Sequence, residues 1–265
     1  MNKKLAITTV FLVLLGGLSI AGLKIAPDFY DFGEKLSEKL ETINSFTIDN
    51  SMQVVRKNGV WSSQEDDFYP VDNDVVELFF KEMKNNSLKA EICEGKPDAE
   101  PGMVLHGKKD IDVFYDENNE INTKIVLTDH KKCYVLTGDF RIPAQPYQWF
   151  VQPLLPFSNQ NIEEIYGADP AQFAFSELFF YQAVHNNDFE DWDNKKIKII
   201  MNNGIIAELT IYAQGHSYWM SVNLTTTALP SIEADEFVKN NGFLYEGWYF
   251  EIPQPEGSRL FNYGL

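Results

Sequence analysis

Ile197-Lys198-Ile199-Ile200-Met201-Asn202-Asn203-Gly204-Ile205-Ile206-Ala207-Glu208-Leu209-Thr210-Ile211-Tyr212 holds two apolar, β-branched runs that meet at an Asn-Gly step. Ile197, Ile199 and Met201 alternate with Lys198 and Ile200, the period of a strand with one buried face. Asn203-Gly204 tolerates the two positive φ angles of a type I′ turn, so a two-residue hairpin is expected there. Tyr218 to Leu224 adds a third strand. Ser231 is placed to cap a helix over Ile232 to Asn241, with Gly242 at its C-terminal end. Phe243 to Ile252 reads as a closing aromatic strand.

The same grammar appears earlier in the chain. Phe46 to Ile48 and Gln53 to Arg56 are short strands, and Asn58-Gly59 turns the second of them into Val60 to Ser62. Phe68 to Val71 is extended, because Pro70 biases Tyr69 away from the helical region. Asp72 or Asp74 can cap the helix that follows, whose apolar face is Val75, Val76, Phe79, Phe80 and Met83. Leu88 to Cys93 is a strand. Ile111 to Tyr115, Ile121 to Leu127 and Cys133 to Leu136 form a meander, while Pro97 to Asp110 is irregular. Tyr147 to Phe150 is a short helix or turn, Ile162 to Ile165 a strand, and Ser176 to His185 a helix. Antiparallel hairpins and meanders with single packed helices make the fold class α+β.

The N-terminus sets the expected location. Met1-Asn2-Lys3-Lys4 precedes Leu5 to Leu23, nineteen residues without a charge. At about 1.5 Å per residue this run nearly matches a hydrocarbon core of roughly 30 Å. The lysines before it favour the N-terminus inside and the body outside. Residues 1–24 are thus read as a single-pass membrane anchor. A signal peptide cut after Ser19-Ile20-Ala21 is the competing reading. Residues 25–42 form a stem, with Phe29, Phe32, Leu36 and Leu40 at helical spacing. Residues 43–255 form the extracytoplasmic α+β domain, with a subdomain boundary considered near Gly167 to Pro170, and 256–265 form a tail.

Composition narrows the partners. Against 22 Lys and Arg stand 39 Asp and Glu, a net charge of −17. Such a surface repels phosphate backbones, so nucleic acid is not an expected partner. Membrane contact is expected through residues 5–23, and a protein partner in the envelope. Cys93 and Cys133 fit no metal spacing and no redox motif. They either pair, if the body lies outside the cytoplasm, or stand as two small buried hydrophobes.

The chain between Phe46 and Leu88, read with Gly247-Trp248-Tyr249-Phe250-Glu251-Ile252-Pro253, resembles a bacterial domain of unknown function. That family occurs in single-pass envelope proteins and at the end of auxiliary proteins beside gliding-motility-type ABC transporters. The resemblance rests on the strand pair ending in Trp61, on Tyr69-Pro70-Val71-Asp72 leading into an apolar helix, and on the Gly204 hairpin. It covers Ile43 to about Pro253, and for part of the family it implies a transporter partner. Each residue also has a local role: Trp61 in the core, Pro70 in a turn, Asp72 at a cap.

No catalytic residue, cofactor ligand or metal ligand is assigned. His106, His130, His185 and His216 are scattered outside any metal spacing. Asp116-x-Asn118-x-Glu120 opens like a calcium loop, but Ile121 stands where an EF-hand needs glycine, and a polar hairpin turn is the better reading. Asp188, Glu190, Asp191 and Asp193 around Trp192 read as a solvated acidic loop before a cation site. The aromatic clusters Tyr147 to Phe150, Tyr218-Trp219 and Tyr245 to Phe250 read as core, with their outward half left for a protein or glycan. The expected function is therefore a non-enzymatic envelope accessory protein. The alternatives are a module binding a small ligand or cation, and an envelope hydrolase needing a pocket where carboxylates or His216 converge.

Overall fold

The structure is a computed structural model that describes residues 35–263, apart from 94, 117, 118, 120, 130, 131, 169–172 and 186–188. The apolar run Leu5 to Leu23 and the first part of the stem lie outside the described residues. Among the described residues no helix is long and apolar enough to cross a membrane.

The elements follow the chain as α1 (35–41), β1 (Ser45–Ile48), β2 (Met52–Lys57), β3 (Val60–Ser63), α2 (Asn73–Ser87), β4 (Glu91–Ile92), β5 (Met103–His106), β6 (Ile111–Phe114), β7 (Ile121–Asp129) and β8 (Lys132–Arg141). Then come β9 (Ile162–Tyr166), β10 (Gln182–His185), β11 (Asp193–Met201), β12 (Ile205–Gln214), β13 (Ser217–Thr226), α3 (Ile232–Asn241), β14 (Trp248–Ile252) and α4 (Gln254–Tyr263). All strand pairs described are antiparallel, and the α+β class stands. The chain divides into two compact units, one formed by residues up to Ser51 and Asp74–Ala144, the other by Met52–Asn73 and Gln145–Leu265. Gly167 lies inside the second unit, just after β9.

In the first unit the strands run β1-β5-β6-β7-β8-β4. The register sets Ile48 beside Met103, Met103 beside Val113, Val113 beside Leu127 and Leu127 beside Tyr134, one buried row across the sheet. Helix α2 buries Val76, Phe79, Met83 and Ser87, spaced by three or four residues along one stripe. Phe80 meets Phe46 edge-on with centroids 5.9 Å apart. Lys39 of α1 pairs with Asp129 of β7 at 2.6 Å. Cys93 and Cys133 are joined by a disulfide with a Cα separation of 5.2 Å, and the Cys93 N–H donates to the Cys133 carbonyl. Of the two readings left open by the sequence, pairing is the one the structure adopts.

The second unit holds the β2–β3 hairpin and a six-stranded sheet in the order β10-β14-β13-β12-β11-β9. Ile197, Leu209 and Val222 lie side by side on one face, with Ile199, Ala207 and Leu224 next to them, all buried. Helices α3 and α4 lie against β12 and β13. Beside the sheet, Tyr69 is buried among the rings of Phe150, Phe180, Trp248 and Phe250, all edge-on to it at 4.9–5.8 Å.

Several local expectations change. Ser176 to His185 is not a helix: a single 3-10 turn at Phe175–Glu177 is followed by strand β10, which pairs with β14. Burial alternates there, with Leu178 and Phe180 inside and Phe179 and Tyr181 outside, so cross-strand packing overrode helical spacing. Met103 to His106 is a strand inside the stretch read as irregular. Leu88 to Cys93 contributes only Glu91–Ile92 as strand, and Phe243 to Ile252 begins with a 3-10 turn at Gly242–Leu244 before β14. Phe68 has φ +66°, so the extended stretch starts at Tyr69. Gly242 sits in the right-handed helical region and ends α3 without the left-handed turn. Residues 256–263, read as tail, belong to α4; Pro255 is tolerated in its first turn because no intrahelical acceptor is needed there.

Candidate functional site

A β-sheet with helices against one face leaves its other face to be explained. In the second unit that face is a grid fixed by register. One row runs Tyr166, Lys198, Glu208, Asn223 across β9, β11, β12 and β13. The next runs Lys196, Thr210, Ser221, Tyr249 across β11, β12, β13 and β14. Paired residues share a face, so these eight side chains point the same way and their apolar neighbours point the other.

The grid floors a groove of about 690 Å³, rimmed at one side by Tyr245 to Trp248 where β14 stops short of β13. That size suits a ligand or a protruding side-chain cluster of a partner. Lys198 Nζ lies 3.3 Å from Glu208 Oε1, and both side chains are about half exposed, so the pair adds little to stability. Its value is chemical: ammonium, carboxylate, hydroxyl and amide groups stand within one patch. Next to the grid, buried Phe189 stacks on Tyr212 at 5.0 Å and touches Trp192, Trp219 and Tyr249. One part of the face is thus aromatic and closed by Phe189, while the other is polar and open.

One buried carboxyl in this unit went unnoticed in the sequence. Asp66 accepts from Ser63 Oγ and from the Ala183 N–H at 3.0 Å, while Asp67 accepts from the His185 N–H at 3.0 Å. Two adjacent carboxylates therefore take the outward N–H groups of β10, an edge strand, in place of a further strand. Burial raises the Asp66 carboxyl above its ordinary value, the Ser63 and Ala183 hydrogen bonds pull it back, and Glu65 and Asp67 push it up again. The signal in the sequence was the Asp66-Asp67-Phe68 run, where Asp67 and Phe68 both adopt positive φ. Tyr245 is pushed up to about 12 by burial, and its hydroxyl donates to the Leu154 carbonyl at 3.0 Å.

The residues singled out in the sequence are not brought together. His106 Nε2 lies 2.7 Å from Thr47 Oγ1 and its Nδ1 3.4 Å from Asp110. His216 is exposed, its Nδ1 3.2 Å from the Gln254 amide. The His185 ring lies edge-on to Trp248 at 4.9 Å. His130 and Asp188 lie outside the described residues, and Glu190, Asp191 and Asp193 are exposed. Around Asp116, buried Asn122 accepts from the Asp116 N–H at 2.8 Å and donates to the Asp116 and Asn119 carbonyls, the clamp of a polar turn. Among the described residues no three His, Cys, Asp or Glu side chains are grouped as a metal site. Of the aromatic clusters, Trp149, Phe150, Tyr245 and Phe250 are core, while Tyr218, Trp219, Trp248 and Tyr249 keep partial exposure.

No family model matches the chain, and neither the curated proteins nor the solved structures contain a detectable relative.

Proposed function

We propose that this chain is a membrane-anchored accessory protein of the bacterial cell envelope, single-pass, with its N-terminus inside and its α+β body outside the cytoplasmic membrane. It acts by binding a protein partner and carries out no reaction of its own. The observation that carries the reading is the polar grid. A sheet face that bears donors and acceptors of both signs over a groove of about 690 Å³ is built for contact. The location is supported by the charge-free run Leu5 to Leu23 behind two lysines, and by the Cys93–Cys133 bridge, which suits an oxidising compartment. A transporter as the partner rests on the family resemblance alone.

Photocrosslinking residues placed at Thr210 and Asn223 of the full-length protein in its own membranes provide the test. Both positions should trap one membrane protein that a crosslinker at exposed Lys132 does not. Equal trapping from all three positions, or none from the grid, would sink the reading. Location is tested separately: in intact spheroplasts the acidic body should be digested by added protease.

A further inference from the structure

A second groove of the second unit, about 510 Å³, lies where Tyr147, Phe179 and Tyr181 approach the start of α4. Its walls are aromatic and held in place. Tyr147 and Tyr181 meet edge-on at 5.3 Å. The Gln152 amide donates to the Tyr147 carbonyl at 3.2 Å and to the Phe180 carbonyl at 3.0 Å, tying both sides of the groove to one side chain. Phe179 and Tyr181 remain 38% and 47% exposed, so the wall presents adjacent ring surface to the groove.

The groove is also lined by Glu256, whose Oε2 is shielded from solvent and accepts no hydrogen bond. Arg259, one turn on, uses Nη1 to pair with Glu177; its Nε and Nη2 are shielded and without acceptors too, and it makes no ion pair with Glu256. A shielded carboxylate oxygen without a donor is costly, and a cation seated against it removes that cost. Ring faces attract soft organic cations through their quadrupoles, and the net charge of −17 favours the approach of any cation. Carboxylate and tyrosine rings in one preformed groove specify a ligand that is both positively charged and apolar at its surface.

We propose that this groove binds a small free organic ammonium compound, its alkylated nitrogen packed against the exposed surfaces of the Tyr147 and Tyr181 rings and its charge facing Glu256. This site is separate from the polar grid and does not depend on it. Titration calorimetry of the full-length protein with choline and tetramethylammonium should give saturable binding, and 3,3-dimethylbutan-1-ol, the neutral carbon isostere of choline, should give none. Glu256→Gln should weaken choline binding by roughly tenfold or more and Tyr181→Ala by a comparable factor, while Glu256→Gln keeps or raises the melting temperature of the unliganded protein. Equal binding of the neutral isostere would overturn the proposal. So would binding to phosphatidylcholine vesicles without binding to free choline, which would make the site one for lipid headgroups. Flat titrations with both ammonium compounds would overturn it too, and a lowered melting temperature for Glu256→Gln would then assign Glu256 to the fold.

Discussion

The two compact units face the same problem, an antiparallel sheet with an apolar face to bury, and meet it differently. The first sets strands of two to four residues, β1, β4, β5 and β6, around one long pair, β7 and β8, and adds a covalent bridge from Cys93, just after the two-residue β4, to β8. The second has described strands β11, β12 and β13 of nine and ten residues, in continuous register, with α3 and α4 against them. Short strands supply few ladder hydrogen bonds and little cross-strand area, so a crosslink contributes most there. Long strands with alternating burial hold their register through packing.

Breaking the bridge has the largest expected effect. Cys93 and Cys133 enclose a 40-residue separation, for which loop-closure entropy gives about 4 kcal/mol. Paired Cys93→Ala and Cys133→Ala replacement should lower the denaturation midpoint accordingly and should deprotect β4 and β8 amides in hydrogen exchange. An unchanged midpoint would mean that the short-stranded sheet holds without its staple.

The matching weak point of the second unit is Gly257 in α4. A Cβ there would come 2.3 Å from Tyr218 Cβ and 2.4 Å from its Cγ. Those atoms sit at the root of the Tyr218 side chain, so the helix itself has to move. Gly257→Ala is expected to cost about 3 kcal/mol, at the upper end of core overpacking. A thermal melt of the variant, read beside the cysteine pair, tests whether close helix–sheet contact does in this unit what the disulfide does in the other.

Two Asn-Gly steps, both in the second unit, carry the comparison inside that unit at smaller scale. At Asn58-Gly59 both φ angles are positive, +54° and +87°, the two-residue turn expected from sequence. At Asn203-Gly204 only Gly204 is positive, at +93°, and its N–H donates to the Met201 carbonyl. Ile200 pairs with Ile206 across a loop that takes in Asn202, so the turn is a three-residue one with a glycine bulge. Gly204→Ala should cost about 2 kcal/mol, since strain at positive φ is joined by a Cβ 2.8 Å from Pro230 Cα and Thr227 Oγ1. Gly59→Ala meets nothing within 4 Å and should cost about 1 kcal/mol, from φ alone. Equal melting shifts for the two variants would show that the Pro230 approach is not limiting.

Those turns mark how far the sequence carried. Alternation and turn chemistry are local, so β2, β3, β7, β11, β12 and β13 were legible, as were α2 and the Ser231 cap, whose Oγ accepts from the Ala234 N–H at 3.1 Å. Partners distant in sequence were not. Strand β10 exists because β14, some 66 residues later, gives it a ladder, and Leu178, Phe180 and Ala183 suit either a strand or a helix until that partner is known. Helix α4 was hidden by Pro255 and Gly257, breakers in isolation that fit a first turn and a close contact. The polar grid was invisible for the same reason: Lys198, Glu208 and Asn223 are ordinary solvated residues until register aligns them. The groove beside α4 draws on three separate segments, 147–152, 179–181 and 253–256, and no spacing rule links them.

The smallest predicted effect is that of Asp66→Asn, at a residue of the second unit that does by hydrogen bonding what a neighbouring strand would do. Its folded carboxyl titrates above the ordinary 3.8, with burial the leading cause. The native state then holds the proton more tightly than the unfolded chain does. The stabilisation is complete below about pH 3.8 and is lost as pH rises through the folded value. Asp66→Asn keeps an acceptor for the Ala183 N–H and removes the buried charge, so this variant should gain up to about 1 kcal/mol at pH 7 and lose that part of the slope above pH 3.8. Asp66→Ala leaves the Ala183 N–H and the Ser63 hydroxyl without their acceptor and should cost about 1–3 kcal/mol at every pH. Melting curves of both variants from pH 3 to 8 separate the two contributions. If Asp66→Asn were as damaging as Asp66→Ala, the charge itself, and not the acceptor, would be what secures the edge of β10.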